Sequence, residues 1–118
     1  TLMKYMLLMY AKESDVPKTP EEIQAAAPAW QALGKEAQEA GVYLSSSGLD
    51  PVANATTVRV RNGKTLTTDG PFAETHEQLG GYFLLECQDL DEAIRWAAKI
   101  PTANYGSIEI RPLWGQKQ

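Results

Sequence analysis

Two stretches of this chain, Met3–Tyr10 (MKYMLLMY) and Gly80–Cys87 (GGYFLLEC), are apolar on both faces of a strand. Side chains alternate across a strand, so Tyr5, Leu7 and Met9 point one way and Met6, Leu8 and Tyr10 the other. A strand that is apolar on both sides belongs in the middle of a sheet. The rest of the chain must cover those two faces, and it offers few elements to do so.

Two helices are predicted. Thr19-Pro20-Glu21-Glu22 carries an N-cap residue, a proline at the first helical position and a glutamate that can reach back to close a capping box. Ile23, Ala26, Ala27, Trp30, Leu33, Ala37 and Ala40 then recur at helical spacing, and Gly41 is placed to end the helix. Pro28 lacks an amide hydrogen and is expected to kink the helix or split off its first turns. Asp89-Leu90-Asp91-Glu92 repeats the cap logic, and the second helix is expected to bury Leu90, Ala93, Ile94, Ala97 and Ile100 before Pro101 stops it.

Three further strand regions complete the pattern. Val42–Gly48 (VYLSSSG) reads as a strand, and Ser107–Pro112 as a half-buried edge strand with Ile108 and Ile110 inward. Between them Thr56–Arg61 and Lys64–Thr68 flank Asn62-Gly63, a strong hairpin signal. The apolar pattern favours a three-residue connection that sets Val60 opposite Leu66. The resulting order is strand, helix, strand, inserted hairpin, strand, helix, strand. The fold class is therefore α+β, a ferredoxin-like β-α-β-β-α-β with an inserted β-hairpin, as a single domain over residues 1–118. Two helices cover only one face of such a sheet. The apolar residues left on the other face predict a homodimer packed sheet to sheet, unless the hairpin or the C-terminal tail folds over that face.

Composition narrows the partners. Fifteen acidic against eleven basic residues leave a net charge of -4, and an acidic surface repels phosphate backbones, so no nucleic acid is expected. One cysteine and one histidine exclude an internal disulfide and a zinc site. The apolar run Tyr5–Ala11 is far short of the ~20 residues that span a bilayer, so no membrane association is expected. Met3 reads as the natural start, Thr1 and Leu2 as a remnant, and no export signal follows, which points to a cytoplasmic protein.

The least generic segment is Thr68-Asp69-Gly70-Pro71-Phe72-Ala73-Glu74-Thr75, followed by Glu77-Gln78-Leu79-Gly80-Gly81-Tyr82. With MKYMLLMY and the helix DLDEAIRWAAKIP it resembles the YCII-related family, in its DGPF-domain branch, from about Met3 to Leu113. The resemblance implies a dimeric α/β-barrel and no settled activity, most members being uncharacterised bacterial proteins. It also hints at a regulatory setting beside extracytoplasmic-function sigma factors. Two departures stand out. Where the family pattern has a histidine early in the first helix, thought to pair with an acidic residue, matching Pro28-Ala29 sets Trp30, so that dyad is absent. Position 76, commonly lysine in the branch, is His76, whose role cannot be inherited.

Candidate site residues follow from chemistry. Asp69 could serve as a general base or ligand anchor if lodged beside a groove, or it accepts hydrogen bonds within its own turn. Phe72 is expected to anchor that turn in apolar surroundings. Histidine is the side-chain type whose unperturbed pKa lies near neutrality, and His76 has Asp69, Glu74 and Glu77 close in sequence, but a solvated surface residue has the same signature. Ser46 alternates to the opposite face from Ser45 and Ser47 and could look into a cavity, or the strand simply frays there. Arg59 shares a hairpin face with Arg61 and could clamp a carboxylate, or holds the hairpin through ion pairs. Tyr82, with Tyr5, Tyr10, Phe72 and Phe83, could wall an aromatic pocket or belong to core or interface. Cys87 reads as a buried small hydrophobe, and Gly80-Gly81 as a bulge or a close backbone approach. No nucleotide, flavin or metal motif is visible, so no cofactor is expected. Two functions remain open: a small-molecule-binding protein, extending to a cofactor-free lyase or isomerase that uses Asp69, or a regulatory module acting with a sigma factor.

Overall fold

Six strands and two helices follow one another in the expected order in the computed structural model of the chain, which describes residues 1–117. They are β1 (Met3–Ala11), α1 (Pro20–Glu39), β2 (Tyr43–Gly48), β3 (Thr56–Arg61), β4 (Lys64–Asp69), β5 (Gln78–Cys87), α2 (Leu90–Ala97) and β6 (Ser107–Pro112). Four strands form an antiparallel sheet in the order β2-β5-β1-β6, and β3 and β4 pair separately. The two doubly apolar strands are the central ones, and the arrangement is α+β, consistent with a ferredoxin-like fold.

One sheet face is covered. Tyr5, Leu7 and Met9 of β1 and Phe83, Leu85 and Cys87 of β5 join Leu33 and Ala37 of α1 and Ala93, Trp96, Ala97 and Ile100 near α2 in one core. On the other face Met6, Leu8, Tyr10, Tyr82 and Leu84 are only half-buried. Neither expected cover lies on it. The hairpin points away, with Val58 and Val60 each 60% exposed. The tail stays at the start of β1, where Gln116 Nε2 donates to the Lys4 carbonyl at 2.8 Å and Trp114 stands fully in solvent.

The local signals hold at both helix starts. Thr19 and Glu22 form the reciprocal capping box, and the Asp89 side chain accepts the Glu92 amide at 2.9 Å. Gly41, at φ 74°, follows the last turn of α1. The bulge is present too: the β1–β5 register steps from Met9↔Gly81 to Tyr10↔Leu79 and leaves Gly80 without a partner.

Three expectations are corrected. The hairpin has a two-residue connection, pairing Arg61 with Lys64 and Val60 with Thr65, so Val60 does not face Leu66. Asn62 and Gly63 both take positive φ, 50° and 75°, a turn whose twist matches the strands. No core lies against the ribbon, so turn geometry and not apolar pairing sets its register. In α2, Leu90 and Ile94 are exposed, and the buried face is Ala93, Trp96 and Ala97. The indole of Trp96 brings more apolar area to the core than either aliphatic chain, and it turns the helix toward itself. Finally, α1 runs unbroken through Pro28. That proline is on the exposed side, where water can satisfy the carbonyl left without a donor.

Candidate functional site

α1 closes on the sheet at one end only. In its C-terminal half Leu33 and Ala37 are buried, whereas toward the N-terminus Ala26, Ala27 and Trp30 are half-buried and Ile23 is 54% exposed. Beneath that open half the strands carry small residues, Ala11, Gly48 and Gly80, which cannot fill the space a helix of this length leaves. The result is a cavity of about 700 Å³ between helix and sheet, a size that suits a drug-sized molecule.

Its walls are mainly apolar. Trp30 and Phe83 lie parallel with ring centroids 6.3 Å apart, and Tyr43 meets Phe83 edge-on. Val16, Pro17, Ile23, Leu49, Leu79 and Tyr105 complete the lining. Polar groups are few. The Ser46 and Tyr43 hydroxyls share a hydrogen bond of 2.7 Å, with Ser46 at the cavity wall. Glu13 Oε2 accepts the Val52 amide at 2.8 Å, which ties the Glu13–Asp15 turn to the Val52–Asn54 turn. Lys18 Nζ donates to the Val16 carbonyl at 3.3 Å and, among the described residues, forms no ion pair. Asp50 and Gln78 add further polar atoms. Such a site can stack and enclose a flat apolar body and offer a hydroxyl and an ammonium to its polar end.

A second cleft of about 560 Å³ adjoins it. Tyr10, Thr56, Thr57 and residues 71–73 line it, and it shares Leu49, Asp50, Pro51, Gln78 and Leu79 with the cavity. The loop from Gly70 is held by its backbone and by hairpin side chains. The Gly70 amide donates to the Ala55 carbonyl at 2.7 Å, Thr57 Oγ1 to the Gly70 carbonyl at 2.9 Å, and Arg59 Nη2 to the Phe72 carbonyl at 3.3 Å. Those bonds make a ring anchor unnecessary. Phe72 is 74% exposed at the cleft, which corrects the expectation of apolar surroundings.

The sequence candidates divide between these places. Ser46 and Tyr82 line the cavity, and Phe72 lines the cleft. Arg59 braces the loop. Asp69, at the end of β4, is exposed and lines neither, and no hydrogen bond from its turn reaches its carboxylate among the described residues. His76 is exposed on the loop and also lines neither. Trp30, Ile23, Lys18 and Tyr105 were missed as site residues. One signal pointed to Trp30, its match to the helix histidine of the family pattern. Lys18 and Tyr105 carried none, since neither lies in a motif.

Two groups titrate away from their ordinary range. Burial pushes the Cys87 thiol up to about 11, and Glu92 and Asp89 nearby reinforce it. Glu22 is held below the usual carboxylate range, chiefly because it accepts the amides of Thr19 and Lys18. Among the described residues no three His, Cys, Asp or Glu side chains are grouped to hold a metal ion, and no helix is long and apolar enough to cross a membrane.

Comparison with known proteins gives two findings. The sequence pattern of the YCII-related domain matches residues 3–117. "Uncharacterized protein R00369" of Rhizobium meliloti (strain 1021) is 40% identical over 114 residues, covering 94% of this chain and 92% of the relative.

Proposed function

The chain belongs to the YCII-related family, and from that premise we propose that it binds a small, flat, largely apolar organic molecule under the N-terminal half of α1. The observation that carries this reading is the cavity itself, with the Trp30–Phe83 pair on its wall and the Ser46 hydroxyl and Lys18 ammonium as its polar contacts. Phenols, quinones and small aromatic acids fit that description.

The finer parts of the reading concern the DGPF segment. It marks the chain as a member of the DGPF branch. Phe72 lines the adjoining cleft, and Asp69 and His76, which lie on the same segment but line neither the cavity nor the cleft, are the proposed acid/base groups of a cofactor-free lyase- or isomerase-type reaction. The functional unit is a cytoplasmic homodimer formed through the open sheet face, the arrangement that the uncovered Met6, Leu8, Tyr82 and Leu84 support.

A thermal-shift screen against phenols, quinones and small organic acids tests the proposal at fixed protein concentration. A ligand at ~100 times its dissociation constant adds about 2.7 kcal/mol, a shift of several degrees for a domain this size. The hit is expected to vanish in Trp30→Ala. Its loss of turnover with binding retained in Asp69→Asn assigns that carboxylate to chemistry, whereas lowered stability with ligand behaviour unchanged assigns it to architecture. A flat screen over a broad library overturns the binding reading in favour of a regulatory module, for which a sigma-factor pull-down is the next experiment.

A further inference from the structure

Among the described residues, Thr102 is the only buried one that is neither apolar nor aromatic, and it is 6% exposed. It lies in the turn Pro101–Asn104 after α2 and lines the cavity together with Met9, Ala11 and Phe83, which are buried as deeply. These four residues mark the enclosed end of the cavity. Lys18, Ile23 and Asp50, all exposed, mark its mouth.

A hydroxyl taken out of water loses its hydration, so a buried one calls for a partner. The chain supplies a poor one. Among the described residues the Thr102 hydroxyl reaches only Met9 Sδ, at 4.0 Å, and a thioether is a weak acceptor. The turn itself does not depend on the hydroxyl. Its main chain fastens it, the Thr102 carbonyl accepting the Gly106 amide at 2.7 Å and the Tyr105 amide at 3.2 Å. Gly106 in turn packs so closely on β1 that a Cβ there would lie 2.1 Å from the Tyr10 carbonyl oxygen. The hydroxyl is therefore held firmly at the closed end of an apolar space, with most of its hydrogen-bonding capacity unused.

A pocket with mainly apolar walls orients its ligand through a few such polar groups. The others are placed differently: the Ser46 hydroxyl is already paired with Tyr43, and Lys18 stands at the mouth. We infer that Thr102 Oγ1 orients the ligand by hydrogen bonding to a ring-borne oxygen, that of a phenol or a quinone, at the end that enters first. A phenol donates its hydrogen to Oγ1; a quinone carbonyl accepts the threonine hydrogen in place of Met9 Sδ. The inference rests on the cavity reading and narrows its ligand class, because an aromatic acid held only through Lys18 leaves the buried hydroxyl unfilled.

The test uses 2-naphthol and 2-methylnaphthalene, which are alike in shape and differ in the ring-borne oxygen. Equilibrium dialysis gives the dissociation constant of each for the native chain, Thr102→Val and Thr102→Ser, with circular dichroism to verify the fold of both variants. Valine puts a methyl where the hydroxyl was, and serine keeps the hydroxyl. Thr102→Val is expected to weaken 2-naphthol about tenfold, the effect of losing one neutral hydrogen bond. Binding of 2-methylnaphthalene should be unchanged in that variant, and Thr102→Ser should retain the preference for 2-naphthol. A second measurement needs no substitution: saturating 2-naphthol is expected to shift the 13C-methyl resonance of Met9 in the native chain. Equal weakening of both probes in Thr102→Val, weakening of neither, or an unmoved Met9 resonance while 2-naphthol binds overturns the anchor and leaves the cavity reading standing. A native chain that binds neither probe overturns both.

Discussion

Cys87 illustrates how burial alone decides chemistry at one residue. Its side chain is completely enclosed between β1 and the helices. Thiolate is the reactive form, and burial raises the thiol from 9.0 to about 11. The native protein is therefore expected to leave Ellman's reagent unreacted at pH 8 and to titrate one thiol once denatured in urea. The sign of the pH effect follows. Below about 9 both states hold the proton and the stability is fully present; between 9.0 and about 11 the unfolded chain has lost it while the folded chain retains it, so stability falls as pH rises through that window. A urea midpoint that stays level from pH 8.5 to 10.5 in the native sequence but falls in Cys87→Ala would contradict this. Two glycines give the steric counterpart. A Cβ on Gly106 would sit 2.1 Å from the Tyr10 carbonyl oxygen and 2.9 Å from Ala11 Cβ, so Gly106→Ala must move backbone. A loss of about 1–3 kcal/mol is expected, and the melting temperature drops by several degrees. Gly34 lies inside α1 with nothing within 4 Å of the added atom. There Gly→Ala is expected to stabilise by about 0.5–1 kcal/mol, because alanine loses less backbone freedom in a helix.

At the scale of elements, signals that act within a few residues were legible and those that depend on a distant partner were not. The capping box of α1, the Asp89 cap of α2, Gly41 and the Asn62-Gly63 turn position are local chemistry, and each lies where the sequence puts it. Removing the Thr19 hydroxyl deletes the acceptor for the Glu22 amide, so Thr19→Ala is expected to cost about 1 kcal/mol in a urea melt. Because Glu22 titrates below its usual 4.5, the support its carboxylate gives the cap by accepting the Thr19 and Lys18 amides is present above about pH 4.5 and lost as pH falls through its folded value. By contrast, the buried face of α2 was misjudged because Leu90, Ile94 and Trp96 compete for one groove, and only the sheet's shape awards it to Trp96. The hairpin register was misjudged for the opposite reason: with no groove beneath the ribbon, apolar matching had no energy to contribute. The cavity belongs to the same class. The α1 stripe from Ile23 to Ala37 looks uniform in sequence, and nothing in it reveals that the helix stands off the sheet before Leu33.

For the whole molecule, the apolar residues on both faces of β1 and β5 carry one consequence beyond the chain. Met6, Leu8, Tyr10, Tyr82 and Leu84 form a continuous apolar strip flanked by Glu86, Glu109 and Arg111, and strands pair around them so that they share one surface. Packing that strip against its copy would remove it from water on both subunits, and only the dimer gains that energy. Binding that exists only in the folded state raises apparent stability with protein concentration. The melting temperature of the native chain is therefore expected to rise across a hundredfold concentration series, with light scattering giving twice the 13.0 kDa chain mass at the top. Leu8→Glu places a charge at the centre of the strip, opposite Glu109 across the β1–β6 pair. It is expected to give a folded monomer whose melting temperature no longer depends on concentration. The helix-side core does not include Leu8, so near-native circular dichroism should survive the change. A native chain whose melting temperature is flat over the series, with a monodisperse 13.0 kDa species throughout, would show that the open face stays open in solution.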